Sequence, residues 1–202
     1  MFALVESGSI TRMLSGNKGI TIGDLQYPKE IFTLWSKSER EAIGIYEVEM
    51  DTSKRKDEEW YINTNVTYTF GSGKVTGSYG DAAAKDHEDT KWTQKEIDDG
   101  DAPAGATTST VKVEGLKTKL IRTVKAQAAG ILQDTDWYVV RKADAGTAIP
   151  SSITTHRNSV RNKQAEMETK ILDASNVAAL EALYTRNSDG VRPLGELPRL
   201  EV

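Results

Sequence analysis

The chain has no cysteine among its 202 residues, so it has no disulfide framework, no thiolate nucleophile and no cysteine-bound zinc. Its two histidines, His87 and His156, leave little material for a metal centre or a general-base relay. Long apolar runs are missing too: no window approaches the roughly 18 residues that a membrane span needs. Phe2-Ala3-Leu4-Val5 meets Glu6 at once and is too short for a secretory leader. Synthesis in a cytoplasm is therefore expected, and the sequon Asn65-Val66-Thr67 carries no meaning. A net charge of −4 is mild and argues against nucleic acid as the main partner.

What is present lies on the polar side of globular, with 38% apolar and 28% charged residues. Such a chain builds thin cores and exposed loops and can use partners to complete its burial. The charge is unevenly placed. Eight acids stand against three lysines from Asp81 to Asp101, and eleven Lys and Arg against six acids from Val111 to Leu172. The basic stretch is most simply a solvated helix face, and it could also attract an acidic surface.

One stretch, Gly115 to Leu172, organises the rest. Leu116, Leu120, Ile121, Val124, Ala128, Ile131 and Leu132 recur at helical spacing. A second helical run opens near Pro150 and carries Ile153, Arg157, Val160, Met167 and Ile171. Between them the word Trp137-Tyr138-Val139-Val140-Arg141 reads as a short aromatic connector ending at Gly146. The spacing predicts a helical hairpin whose stripes bury against each other or a partner. Two aromatics at such an elbow usually belong to its core, and the pair is also the candidate aromatic part of a partner surface.

Residues 1–80 read as β-rich with one short helix. Strand, turn and strand follow one another at Ala3–Glu6, Ser7-Gly8 and Ser9–Met13, and the pattern repeats around Gly23-Asp24. Ser38 and Glu41 form a capping-box pattern for a helix that Gly44 must end. Ile45 to Met50 alternates cleanly. Segments at Glu59–Ile62, Val66–Phe70 and Val75–Tyr79 predict an antiparallel meander with aromatic pairing among Trp60, Tyr68 and Tyr79.

From 81 to 110 the apolar signal fades, and the composition reads as an acidic linker or long loop; its lone Trp92 is expected to dock on a core. Asp173-Ala174-Ser175-Asn176 ends the second long helix and caps a brief third one from Val177 to Tyr184. The tail, 187–202, is denied a helix by Pro193 and Pro198 yet carries Leu194, Leu197, Leu200 and Val202. That spacing predicts an extended partner-binding segment. The expected fold is α+β: a β-rich domain (1–80), an acidic linker (81–110), a helical hairpin domain (111–186) and an extended tail (187–202).

Motifs for chemistry fail on inspection. Gly71-Ser72-Gly73-Lys74 has Tyr68 where a phosphate-cradling loop needs its first glycine and Val75 where it needs Ser or Thr. A hairpin turn is expected there instead. Asp86-His87-Glu88-Asp89 are consecutive loop residues that seldom converge on a metal. His156 has no carboxylate at helical spacing and no serine to activate, so it reads as a packing residue. No catalytic residue, metal ligand or cofactor site is expected.

Three stretches carry a resemblance. Phe2-Ala3-Leu4-Val5-Glu6-Ser7-Gly8 resembles the start of small proteins encoded beside tail-fibre genes in tailed bacteriophages. Tyr27-Pro28 to Trp35, with Glu39-Arg40-Glu41-Ala42-Ile43-Gly44-Ile45-Tyr46, is similar to their middle segment. Leu132 to Arg161 resembles their C-terminal signature, a leucine helix leading into Thr135-Asp136-Trp137 and then Ile149-Pro150 opening the helix of Arg157 and Arg161. Together these resemble the tail fibre assembly and tail assembly chaperone-like proteins of tailed phages, over roughly half of the chain. The meander and the acidic stretch fall outside the pattern, and His156 stands where such proteins often carry tyrosine. The resemblance implies a non-catalytic assembly or structural protein, in the host cytoplasm during assembly or in the virion tail. Its partner would be a tail fibre, another tail protein or a second copy, met through Trp137, Tyr138 and the apolar tail residues. Two alternatives stand beside it. One is a small-ligand or carbohydrate-binding module using the aromatic meander, and the other a hydrolase without a recognisable site.

Overall fold

The computed structural model describes residues 1–200, and the chain divides into two compact units, Met1–Ala83 and Ala84–Val202. The fold is α+β, with a sheet in the first unit and helices dominating the second.

The first unit opens with β1 (Phe2–Glu6) and β2 (Ser9–Leu14), joined by Ser7 and Gly8 at φ 51° and 79°. Two positive-φ residues make the hairpin turn whose twist matches its strands. A small ribbon follows, β3 (Ile20–Ile22) with β4 (Leu25–Tyr27), then α1 (Ile31–Leu34) and α2 (Lys37–Ala42). Next come β5 (Ile45–Asp51), the two-residue β6 (Tyr61–Ile62), β7 (Thr67–Gly71) and β8 (Lys74–Ser78). The main sheet has the order β2-β1-β5-β8-β7, and its edge strands β2 and β7 approach each other, so the sheet curls towards closure. Strand β1 is apolar from Phe2 to Val5 because both its faces are covered there. Leu4 packs with Ile20, Ile31, Phe32 and Ile45, while Ala3 and Val5 pack with Val75 on the other side.

Three expectations for this unit change. The capping box uses Ser36 and Glu39, not Ser38 and Glu41. Both frames exist in Ser36-Lys37-Ser38-Glu39-Arg40-Glu41, and the earlier one lengthens a helix that Gly44 must stop. Gly44 sits at φ 82°, where an added Cβ would lie 2.6 Å from the Val5 carbonyl oxygen. The meander is not wholly antiparallel: β7 and β8 form a hairpin over Ser72-Gly73, but β8 runs parallel to β5. The chain between Asp51 and Lys74 is long enough for the crossover that a parallel pair requires. Across the sheet Tyr46 pairs with Phe70, centroids 4.9 Å apart, while Trp60 and Tyr61 are buried and Tyr61 lies in β6, outside the main sheet.

Strand β9 (Ala83–Ala84) lies at the boundary, and the second unit follows with β10 (Thr90–Lys91), α3 (Gln94–Asp98) and β11 (Val111–Val113). The stretch 81–110 is therefore not a linker. β10 pairs with β11, α3 has a capping box of Thr93 and Glu96, and Trp92 lies under the Lys112 ammonium. Its acids hold it in place. Asp89 accepts from the Gly115 amide at 2.8 Å and from the Thr118 hydroxyl at 2.9 Å, capping the next helix from 26 residues upstream. Composition counted these carboxylates as solvated; in the fold Glu88, Asp89 and Glu96 each accept from a donor on or beside β11 and the next helix.

That helix is α4 (Leu116–Gln133), followed by α5 (Asp136–Ala145), α6 (Ser151–Asp173) and α7 (Val177–Tyr184). α4 and α6 are antiparallel. Lys117 Nζ donates to the Leu172 carbonyl at 2.8 Å, and Arg157 Nη1 to the Leu132 carbonyl at 2.8 Å. Val124 and Ala128 of α4 and Ile153, Val160, Met167 and Ile171 of α6 are buried, so both stripes read from the sequence meet inside the unit. Burial of each large aliphatic side chain contributes about 1.5–3 kcal/mol. Asn176 caps α7 through the Ala179 amide.

Candidate functional site

The Trp137 word is a helix, not a connector. Asp136 at its first position favours the positive end of the helix dipole, and Lys142 favours its last turn. Gly146 at φ 68° closes it by donating to the Lys142 carbonyl. These three signals lie in the sequence at the spacing of a ten-residue helix. The chain then reaches α6 through Thr147 to Pro150.

No residue of α5 is buried. Trp137 is 52% exposed and Val140 65%, with Val139 also exposed, so this aromatic pair is not core as the elbow reading expected. Tyr138 is half-buried, its ring centroid 4.1 Å from that of Trp137. Arg141 lays its guanidinium 4.5 Å from the Trp137 centroid and 5.4 Å from that of Tyr138. The stack holds three large side chains in fixed positions at the surface. One buried anchor fixes the helix beneath it: Arg157 bonds Thr135 Oγ1 at 2.7 Å and Asp136 at 2.8 Å. An aliphatic surface beside a Trp-Tyr-Arg stack has the composition of an interface centre.

The tail does not extend away from the unit. The Leu194 amide donates to the Leu183 carbonyl at 2.9 Å, Lys170 Nζ donates to the Pro193 carbonyl, and Leu194 is 1% exposed. Leu194 is thus core of its own unit and cannot meet a partner without leaving it. The reason is proximity: α7 ends at the surface that the chain must cross, and a leucine placed there gains more by folding back. Leu197 is half-buried, Leu200 is exposed, and Val202 lies outside the described residues.

Where the tail returns along α6 it leaves a cleft of about 830 Å³. α4 supplies Gln127, Gly130 and Ile131, and Asp134 at its C-terminal cap joins them; α6 supplies His156 and Met167; the tail supplies Arg192, Glu196, Leu197, Arg199 and Leu200. Thr135, which leads into α5, completes its lip. Sequence reasoning named only two of these as site residues. In the sequence Arg192 and Arg199 read only as the rim of a partner's groove and His156 only as packing, and the common feature of the lining is a space that exists only once tail and helices are packed.

The scaffold beneath these surfaces is charge-rich and mostly wet. The Lys112 ammonium, followed by the Thr93 amide and hydroxyl, holds the Glu96 carboxyl down at about 2. The Gly115 amide and then the Thr118 hydroxyl lower that of Asp89. Lys170 and then Lys163 lower that of Glu166. Among the described residues no three His, Asp or Glu side chains gather in a metal-binding group, and no helix is long and apolar enough to cross a membrane. Asp86, His87, Glu88 and Asp89, weighed as metal ligands, instead secure the start of α4. Leu116 and Lys117 donate their amides to the Asp86 and His87 carbonyls, and Lys117 Nζ meets Glu88. Of the aromatic side chains weighed as a carbohydrate platform, Trp60 is buried, while Tyr68 and Tyr79 are half-buried.

Compared with known proteins, the chain matches no protein-family model, no curated protein and no solved structure.

Proposed function

We propose that this chain is a non-catalytic structural or assembly protein of a tailed bacteriophage that binds a tail-fibre or other tail protein through the exposed face of α5. The observation that carries the reading is the rigid Trp137–Tyr138–Arg141 stack beside exposed Val139 and Val140, on a helix that buries no side chain of its own. Solvation gives such a helix no reason to display Trp and Val together, whereas a partner that covers them does. The likeness of Phe2 to Gly8 and of Leu132 to Arg161 to tail fibre assembly proteins supplies the class of partner. The exposed residues Arg199 and Leu200 of the tail lie on the same unit and extend the surface available.

The test is co-purification with a tailed-phage tail-fibre protein co-expressed with the chain, using Trp137→Ala combined with Val140→Ser. Truncating a central aromatic anchor costs about 2 kcal/mol or more of binding, at least tenfold in affinity. The double variant should lose the fibre while its thermal midpoint stays within a degree or two of the parent. Full retention of the fibre would remove α5 from the interface.

A further inference from the structure

We propose that the cleft between α4, α6 and the returning tail binds a small monocarboxylic acid with an apolar body. Its volume of about 830 Å³ is that of a small-molecule site, commonly about 300–1,000 Å³. Two buried polar atoms lack a hydrogen-bond partner there, His156 Nε2 and Arg192 Nε, and His156 is itself more than nine-tenths buried. An unsatisfied buried nitrogen is costly, and a ligand oxygen at each would remove that cost.

A third observation comes from the wall. Gln127, Gly130, Ile131 and Asp134 are spaced as one stripe of α4 and its C-terminal cap, and at Gly130 an added Cβ would meet nothing within 4 Å. Glycine is among the poorest residues for a helix interior, and no neighbour demands it at this position. What its missing side chain does provide is room in the cleft.

The charges select the ligand. Arg192 and Arg199 face the space, and the Arg192 guanidinium is held 5.7 Å from the Tyr184 ring centroid. Glu196 is already paired with Arg186 at 3.1 Å. Asp134 is the remaining acid of the lining. One carboxylate satisfies the guanidinium side, while a polyanion such as a nucleotide phosphate would be repelled by Asp134. Ile131, Met167 and Leu197 supply an apolar floor for the rest of the molecule. The carboxylate can belong to a free acid or to the C-terminus of another chain. This site goes beyond the α5 interface and does not depend on it.

The test is calorimetry and histidine-resolved NMR on the full chain, with octanoate and 3-phenylpropionate as free acids. Octanamide and inorganic phosphate serve as controls, beside an acetylated leucine-ending tripeptide with a free or amidated C-terminus. Saturable binding of an acid that perturbs the His156 ring, with octanamide and phosphate at least tenfold weaker, is the expected result. Arg199→Gln should weaken it about tenfold. Gly130→Leu should abolish it and Gly130→Ala reduce it, both with a thermal midpoint equal to or above the parent's. Tighter binding of the peptide acid than of the free acids identifies a chain terminus as the source, and the reverse order a metabolite. No saturable binding of any acid, equal binding of octanamide, or unchanged binding by Gly130→Leu would overturn the proposal.

Discussion

Arg157 ties three segments of the second unit together from one side chain. It is 8% exposed, and its guanidinium joins the end of α4, the start of α5 and its own helix through the Leu132 carbonyl, Thr135 Oγ1 and Asp136. Arg157→Met keeps the stem packing but removes three charge-assisted contacts, to the Leu132 carbonyl, Thr135 Oγ1 and Asp136. The Thr135 hydroxyl and the Leu132 carbonyl stay bonded to each other, and the carbonyl to the Thr135 amide. A loss of about 2–4 kcal/mol is expected in urea unfolding, with Arg157→Lys in between because an ammonium cannot make the forked contact. Glu96 gives a pH-dependent counterpart. Its carboxyl is lowered to about 2 from an ordinary 4.5, first by Lys112 and then by Thr93. A depressed acid contributes its stabilisation above its unfolded value, and that contribution fades as pH falls from about 4.5 towards 2. The Glu96 carboxyl should therefore titrate near 2 by NMR, and Lys112→Gln should move that midpoint up. A parent midpoint already at the ordinary value would mean that the Lys112 contact is absent in solution.

At the scale of elements, the α4–α6 pair is the packing unit. Val160 is fully buried against α4, so Val160→Asp places an unpaired charge in the seam and should cost at least about 3 kcal/mol, read as a fall in thermal midpoint. The start of α4 depends on a residue far from it in sequence. Gly115 has no side chain with which to cap, and Asp89 supplies the carboxylate. Asp89→Ala removes the acceptor of the Gly115 amide and the Thr118 hydroxyl and should cost about 1–2 kcal/mol, although the residue lies far outside the helix it secures. α5 responds differently. Its exposed side chains can be exchanged at little cost in stability, which is what separates a binding helix from a packing helix.

At the scale of the whole molecule, two units each hold a core of their own: Leu4, Ile31 and Ile45 in the first, Val124, Val160, Ile171 and Leu194 in the second. Separately expressed, residues 1–83 and 84–202 should each unfold cooperatively and show dispersed amide spectra. The tail belongs to the second of these cores. Leu194→Ala should cost about 2–5 kcal/mol, and deletion of residues 187–202 should lower the stability of the helical unit by at least as much. A stable truncated unit would return the tail to the role of a free arm.

By itself the sequence determined the local elements. Paired positive-φ turns, the Ile45 to Met50 alternation, the α4 and α6 stripes, the Asn176 cap and the stop at Gly44 are all set by residues within a few positions of one another. Backbone sterics and helical or strand periodicity act at that range. Tertiary structure decided what depends on distant partners. It set the parallel pairing of β5 with β8, the ordering of 81–110 by Asp89 and Glu96, and the outward face of Trp137. It also turned Leu194 inward and opened the cleft beside Gly130. A carboxylate reads as solvated, and a tail leucine as free, until the donor or cavity that receives it is known. The distant receivers lie 16, 26 and 29 residues away for Glu96, Asp89 and Glu88 and 11 for Leu194, beyond the reach of any local pattern.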